Sequence, residues 1–82
     1  TGIFLFMRLR QVKPKDLLRA LLKAGFTIKR KKGSHVFLEF MSEDEVHLTS
    51  ISIHNEPIPK GTLKAIVKQA GISEDELIKL LK

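Results

Sequence analysis

The sequence contains no cysteine, which excludes disulfide bonds and thiolate metal sites. It also contains no tryptophan and no tyrosine, so reading of single-stranded RNA by base stacking on aromatic side chains is poorly supported. No apolar run approaches the roughly 18 residues of a membrane span, and the glycine patterns of Walker and dinucleotide-binding loops are absent. We therefore expect a soluble, cytoplasmic protein that binds neither nucleotide cofactors nor a bilayer core.

The charge balance indicates an anionic partner. The chain has 82 residues, enough for one domain over residues 1–82, and carries a formal net charge of +6. Nucleic acid, an acidic protein and a membrane surface are all compatible with that charge, and so is a role in solubility alone. The net charge therefore indicates an anionic partner but does not distinguish nucleic acid from an acidic protein or a membrane surface.

The beginning of the chain is unusually apolar, because Ile3–Met7 contains no polar residue. The run is too short for a signal peptide, and no basic segment precedes it. We expect residues 1–7 to be a loosely ordered tail, or residues 1–6 to be foreign to the native protein with Met7 as its start. A short strand against a sheet edge or a second chain is the alternative, and the folded domain is expected over residues 14–81.

Three segments have the signals of helices. Pro14 suits a first helical turn and Gly25 suits a left-handed C′ position, which predicts a helix over Pro14–Ala24 with Leu17, Leu18, Leu21 and Leu22 as its apolar stripe. A second helix is predicted over Lys60–Ala70 before Gly71. The capping-box pattern from Ser73 to Glu76 starts a third over Glu74–Leu81.

Between the first two helices lie three predicted strands, over Phe26–Lys32, Ser34–Met41 and Val46–His54. Lys32-Gly33 and an acidic loop at residues 42–45 supply the turns, so the strands form a three-stranded antiparallel meander. The order α-β-β-β-α with a short extra C-terminal helix predicts an α+β fold with the helices on one face of the sheet.

Alternation along the strands assigns side chains to the two sheet faces. If Val36, Leu38 and Phe40 face the helices, His35 points to the open face, since successive strand residues alternate. By the same argument His54, Lys29 and Lys31 also point there. The assignment depends on strand register, because a slip of one residue inverts every side chain.

His35 is the sharpest catalytic candidate. Imidazole can take or give a proton near neutral pH, and RNA carries its own nucleophile in the 2′-hydroxyl, so a base and a cationic phosphate site suffice for cleavage without metal. Glycine allows close backbone approach to a phosphate, serine can donate a hydrogen bond to one, and lysines bind the RNA backbone. The RNA-binding candidates are Lys29, Arg30, Lys31, Lys32, Gly33, Ser34, His54, Lys60 and Lys64. The alternative is an exposed histidine beside a solvated basic hairpin.

Other groups of residues give weaker evidence for a functional site. His35, His47 and His54 have no carboxylate or cysteine at ligand spacing with them, so we predict no metal site and no cofactor. Ser34 and His35 do not form a hydrolase dyad, because adjacent strand residues point to opposite faces. The spacing of Lys60, Lys64 and Lys68 at i, i+4 and i+8 forms a basic ridge, which is either a solvated helix face or a surface for phosphate or a partner.

The ordered set of motifs resembles the HicA (YcfA-like) mRNA interferase toxins. The resemblance spans about Lys15 to Leu81 and rests on Leu21-Leu22-Lys23-Ala24-Gly25-Phe26, Lys32-Gly33-Ser34-His35, Ile53-His54-Asn55, Pro59-Lys60-Gly61-Thr62-Leu63 and Ile66–Ser73. It implies a fold like the double-stranded-RNA-binding domain. It also implies the toxin of a type II toxin–antitoxin pair, an endoribonuclease that cleaves mRNA without the ribosome using His35, with a HicB-type antitoxin as partner.

Two other classes of function remain compatible with the sequence. One is a non-catalytic RNA-binding module that grips A-form RNA by shape and phosphate contacts. The other is a protein-interaction domain whose basic face pairs with an acidic partner. Cleavage of RNA that depends on His35 would separate the enzyme from both.

Overall fold

The computed structural model describes residues 12–81, so the predictions for residues 1–7 lie outside the described residues. Helix α1 spans Pro14–Lys23, strands β1, β2 and β3 span Thr27–Lys32, His35–Met41 and Val46–Ser52, and helices α2 and α3 span Lys60–Ala70 and Glu74–Leu81. The sheet is antiparallel with strand order β1-β2-β3. This confirms the predicted α+β architecture, whose α-β-β-β-α order is that of the double-stranded-RNA-binding-like fold.

Local capping signals explain why the helices end where they do. At the end of α1, the Phe26 N–H donates to the Leu21 carbonyl at 3.0 Å and the Gly25 N–H to the Leu22 carbonyl at 3.1 Å. Gly25 has φ +106°. These two bonds form a Schellman motif, which turns the chain into β1.

The same closure ends α2, where Gly71 has φ +72° and Ile72 donates its N–H to the Val67 carbonyl. The predicted capping box then starts α3. The Glu76 N–H donates to the Ser73 hydroxyl at 3.1 Å, and the Ser73 N–H donates to the Glu76 carboxylate at 3.2 Å.

The core lies between the sheet and the helices. From β2 and β3 it takes Val36, Leu38 and Ile51, which are 1–5% exposed, while Leu17, Leu63 and Leu77 from the three helices are at most 1% exposed. Within residues 12–81 the helices cover one face of the sheet and none covers the other, which we call the open face.

The predicted apolar stripe of α1 is wrong at one position. Leu22 is 41% exposed, while Ala20 is fully buried beside Leu17 and Leu21. The buried residues Pro14, Leu17, Ala20 and Leu21 follow i, i+3 and i+4 spacing, and Leu22 lies outside this stripe. None of the helices in residues 12–81 has the length and apolarity needed to cross a membrane.

Candidate RNA-cleavage site

Register places the His35 side chain on the open face, as predicted. His35 pairs with Lys32 of β1 and with Ser52 of β3, and the next residue, Val36, pairs with Lys31 and Ile51. Val36 is 5% exposed in the core, whereas His35 is exposed. Since Val36 anchors the strand from inside, the imidazole is held outward by a regular sheet rather than by a loop.

The turn that precedes His35 leaves room above its backbone. Lys32 pairs directly with His35, so Gly33 and Ser34 form a two-residue turn, with Gly33 at φ +59°. A Cβ atom added at Gly33 would meet nothing within 4 Å. The Ser34 carbonyl accepts the Ile53 N–H at 2.8 Å, which ties the turn to the end of β3. A phosphate could therefore approach the Gly33 backbone without a steric obstacle from the described residues.

Strand β1 does not alternate as predicted. Its register shifts between Ile28 and Arg30, so the β-bulge at Lys29 places Arg30 opposite Phe37 and Lys31 opposite Val36. The prediction that Lys29 and Lys31 share the open face is therefore wrong for Lys31, whose row belongs to the helix side. Arg30, paired with Phe37, and Lys32, paired with His35, are the β1 cations that lie on the open face with them.

Two of the cations on β1 have defined contacts. The Arg30 guanidinium carbon lies 4.9 Å from the centroid of the Phe37 ring, a cation–π arrangement that holds it over the open face. The Lys29 ammonium lies 3.3 Å from the Glu39 carboxylate, with 58% and 23% of the two side chains exposed. Such a surface pair contributes about 0.2–1 kcal/mol and can be exchanged for a phosphate.

The remaining candidates lie away from the His35 row. His54 is exposed two residues after β3 ends, next to Ile53 and hence close to the Ser34 turn. Lys60 and Lys64 belong to α2, and Lys64 lines a depression formed with the start of α3 rather than with the open face. The structure thus brings together Arg30, Lys32, the Gly33-Ser34 turn and His35, but not the α2 lysines.

Ser52 was not among the sequence candidates, yet it lies directly opposite His35. Because Ser52 follows the buried Ile51 in the strand, alternation directs its side chain outward. What the sequence could not supply was the register of β2 against β3, which sets it beside His35 rather than two residues away.

The far end of the open face is apolar. Met41 and Val46 are paired across the strands, and with Leu48 they are 55–67% exposed. We call these three residues the apolar half, in contrast to the basic half formed by Arg30, Lys32 and His35. Contiguous exposed apolar side chains of this kind mark protein interaction surfaces.

An open depression lies elsewhere on the described part of the chain. It has a volume of about 460 Å³ and lies between Phe40, His47, Gly71 and Leu80, at the end of β2 opposite to His35. His47 is half-buried there, and its Nε2 lies 2.9 Å from the Glu45 carboxylate. We regard the residues around His35 as the candidate site in preference to this depression, because RNA binding needs an exposed cationic surface. Among residues 12–81, no three His, Cys, Asp or Glu side chains are grouped so that they could hold a metal ion.

Comparison with known proteins gives one informative match. A search of curated proteins finds none similar to this chain. A family model described as the HicA toxin of bacterial toxin–antitoxin systems matches residues 14–72, which is well over half of the chain and includes all three strands, the Gly33-Ser34 turn and His35. The chain therefore belongs to the HicA toxin family of bacterial toxin–antitoxin systems.

Proposed function

We propose that this toxin is an endoribonuclease that cleaves mRNA in the cytoplasm, with His35 as its catalytic residue. The observation that carries the proposal is the position of His35. Its imidazole is exposed on a regular strand between Lys32 and Ser52, while the neighbouring Val36 is locked in the core. A proton-transfer group on a rigid element, with a cation beside it, is what phosphodiester cleavage requires.

The chemistry uses the 2′-hydroxyl of the RNA as nucleophile. The His35 imidazole takes the 2′-hydroxyl proton as the 2′-oxygen attacks the adjacent phosphorus, and the bond from phosphorus to the 5′-oxygen breaks. The leaving 5′-oxygen takes a proton from the imidazolium or from water. The products are a 2′,3′-cyclic phosphate and a 5′-hydroxyl, so atoms and charges balance without a metal ion or cofactor.

The basic half of the open face stabilises the charge that develops on the phosphate. Lys32 and Arg30 supply positive charge on the rows of His35 and Phe37, and the Gly33-Ser34 turn offers backbone and hydroxyl donors where no described atom obstructs approach. Phosphate contacts position the RNA rather than read its sequence. The weaker contributions to backbone binding are assigned to Lys29, Lys31, His54, Lys60 and Lys64.

A HicB-type antitoxin is the proposed protein partner. Membership of the family implies an antitoxin in general. The open face offers it both an apolar half, with Met41, Val46 and Leu48 at 55–67% exposure, and a basic half that acidic side chains could neutralise. An antitoxin seated across both halves would cover His35 and so inhibit the enzyme.

The experiment is cleavage of an RNA oligonucleotide in the presence of EDTA by the wild type and by His35→Gln. Loss of a general acid–base group lowers the rate by about 10²–10⁴-fold. Binding is followed separately by fluorescence anisotropy with a 2′-O-methyl RNA, which cannot be cleaved because its nucleophile is blocked.

His54→Gln is the matched control, since it removes an exposed imidazole near the same turn. We expect it to change binding modestly and to retain cleavage. Binding without cleavage by the wild type would leave a non-catalytic RNA-binding module, and equal cleavage by wild type and His35→Gln would remove His35 from the mechanism.

A further inference from the structure

A cationic depression lies at the start of helix α1, apart from the residues assigned to cleavage. It has a volume of about 260 Å³. The chain segments that form it are the first turn and a half of α1 and the residues that follow β3. It is lined by Lys13, Lys15, Asp16, Arg19, His54 and Asn55, which we call the α1 pocket.

Helical spacing and strand connectivity bring these residues together. Lys15 and Arg19 are four residues apart on α1 and exposed, so they project from the same side of the helix. His54 is held on the other wall because Ile53, immediately before it, donates its N–H to the Ser34 carbonyl at 2.8 Å. The α1 pocket therefore lies at the same end of the sheet as the turn that carries His35.

The charge of the α1 pocket favours an anion. Lys13, Lys15 and Arg19 contribute three positive charges, and Asp16 contributes the one carboxylate of the lining. The positive end of the α1 dipole adds to the same field. Arg19 and the Asn55 amide can also donate hydrogen bonds, and the fork of a guanidinium matches the geometry of a phosphate.

We propose that the α1 pocket binds a second backbone phosphate of the RNA whose other phosphate is cleaved at His35. The inference rests on the proposed endoribonuclease function and adds to it a positioning site. Ile53, which precedes His54 of the pocket, is hydrogen-bonded to Ser34, so we expect one strand of RNA to contact both places. Contact with two phosphates fixes the direction and register of the RNA across His35.

RNA is favoured over an acidic protein segment as the ligand, because the α1 pocket is linked to the turn that precedes His35. The Ser34–Ile53 hydrogen bond ties the segment that carries His54 of the α1 pocket to the turn before His35, whereas the exposed apolar side chains that a protein partner would use lie at the opposite end of β2 and β3. We therefore assign the α1 pocket to an RNA phosphate rather than to the protein partner that the apolar half would contact.

The test compares the double variant Lys15→Gln/Arg19→Gln with Lys79→Gln, which removes one exposed cation from α3 beside the distant depression. Affinity for 2′-O-methyl RNA is measured by anisotropy across a salt series. We expect the double variant to bind roughly tenfold more weakly and its log K against log salt slope to fall by about 1, whereas Lys79→Gln leaves both nearly unchanged. With cleavable RNA, KM should rise while kcat is retained.

The outcomes separate this proposal from the proposed function. If the wild type cleaves RNA through His35 but the double variant binds and cleaves like Lys79→Gln, the α1 pocket proposal is overturned and the enzyme assignment stands. That result would also be the one expected if the α1 pocket served an acidic protein. If the double variant binds RNA more weakly with a smaller salt slope while His35→Gln cleaves normally, the α1 pocket proposal is supported and the catalytic role of His35 is overturned. Failure of the wild type to bind RNA would overturn both, and circular dichroism confirms that each variant is folded.

Discussion

The packing of His47 against the end of α2 allows a sharp prediction about two glycines. Gly33 and Gly71 have similar positive φ angles, +59° and +72°. Alanine at either position must adopt a left-handed conformation, which costs about 1–2 kcal/mol. At Gly33 this is the whole cost, since a Cβ there meets nothing within 4 Å.

At Gly71 the added Cβ would lie 2.6 Å from Cε1 and 2.9 Å from Nε2 of His47. The ring must retreat by about 0.8 Å to reach an ordinary contact near 3.4 Å. Two neighbours restrict that movement, because Nε2 lies 2.9 Å from the Glu45 carboxylate and the Phe40 ring is centred 6.2 Å away. Overpacking of this kind adds about 1–3 kcal/mol, so Gly71→Ala should cost about 2–5 kcal/mol in total.

Thermal unfolding followed by circular dichroism measures the difference. In a domain of this size, 1 kcal/mol corresponds to about 4–8 °C in Tm, so Gly71→Ala should unfold well below Gly33→Ala. The double-mutant cycle of Gly71→Ala with His47→Ala should recover about 1–3 kcal/mol of coupling. Equal losses for the two glycines, together with zero coupling to His47, would refute this account of the packing.

Three further predictions concern the core, a helix cap and RNA binding. Leu38→Ala, at a residue 1% exposed, should cost about 2–5 kcal/mol in urea unfolding, while Leu48→Ala, at 55% exposure on the open face, should change stability by less than about 0.5 kcal/mol. Ser73→Ala removes the acceptor of the Glu76 N–H and should cost about 1 kcal/mol by thermal unfolding; an unchanged Tm would contradict the capping box. Lys32→Gln should lower the salt slope of RNA binding by about 1, and an unchanged slope would show that Lys32 contacts no phosphate.

Local signals in the sequence predicted the helices because each end is set by residues close in the chain. Pro14, Gly25 and Gly71 fix the boundaries through their backbone conformations, and Ser73 through its side chain. The end of α1 was predicted one residue late, at Ala24, which is the C-cap residue. The strands were predicted one or two residues too long, since their ends depend on pairing with a neighbour.

Alternation predicted the faces of β2 and β3 but failed in β1. In β2 and β3 the buried side is formed by Val36, Leu38 and Ile51, and the alternation of apolar with polar residues indicates it in the sequence. The segment Thr27–Lys32 is exposed along its whole length, and its only apolar residue is Ile28. Because β1 has no buried side, nothing in the sequence indicates the bulge at Lys29. The presence of Arg30 rather than Lys31 on the open face was therefore not predictable.

The candidate site was predictable only where neighbouring residues form it. The Gly33-Ser34-His35 turn is continuous in sequence, and the resemblance to HicA toxins indicated its role. Ser52 opposite His35 requires the register of a hairpin, and the α1 pocket joins residues of the first helix to residues that follow β3. The assignment of His35 to catalysis stays a prediction until cleavage is measured.

The most direct test of the central claim is the chemistry of the RNA ends left by the wild type and by His35→Gln in the presence of EDTA. Attack by the 2′-hydroxyl predicts 2′,3′-cyclic phosphate and 5′-hydroxyl ends, formed at least about 10²-fold more slowly by His35→Gln, and no cleavage where the nucleotide carries a 2′-deoxy sugar. Ends bearing a 3′-hydroxyl and a 5′-phosphate, or the same rate from His35→Gln, would contradict the account.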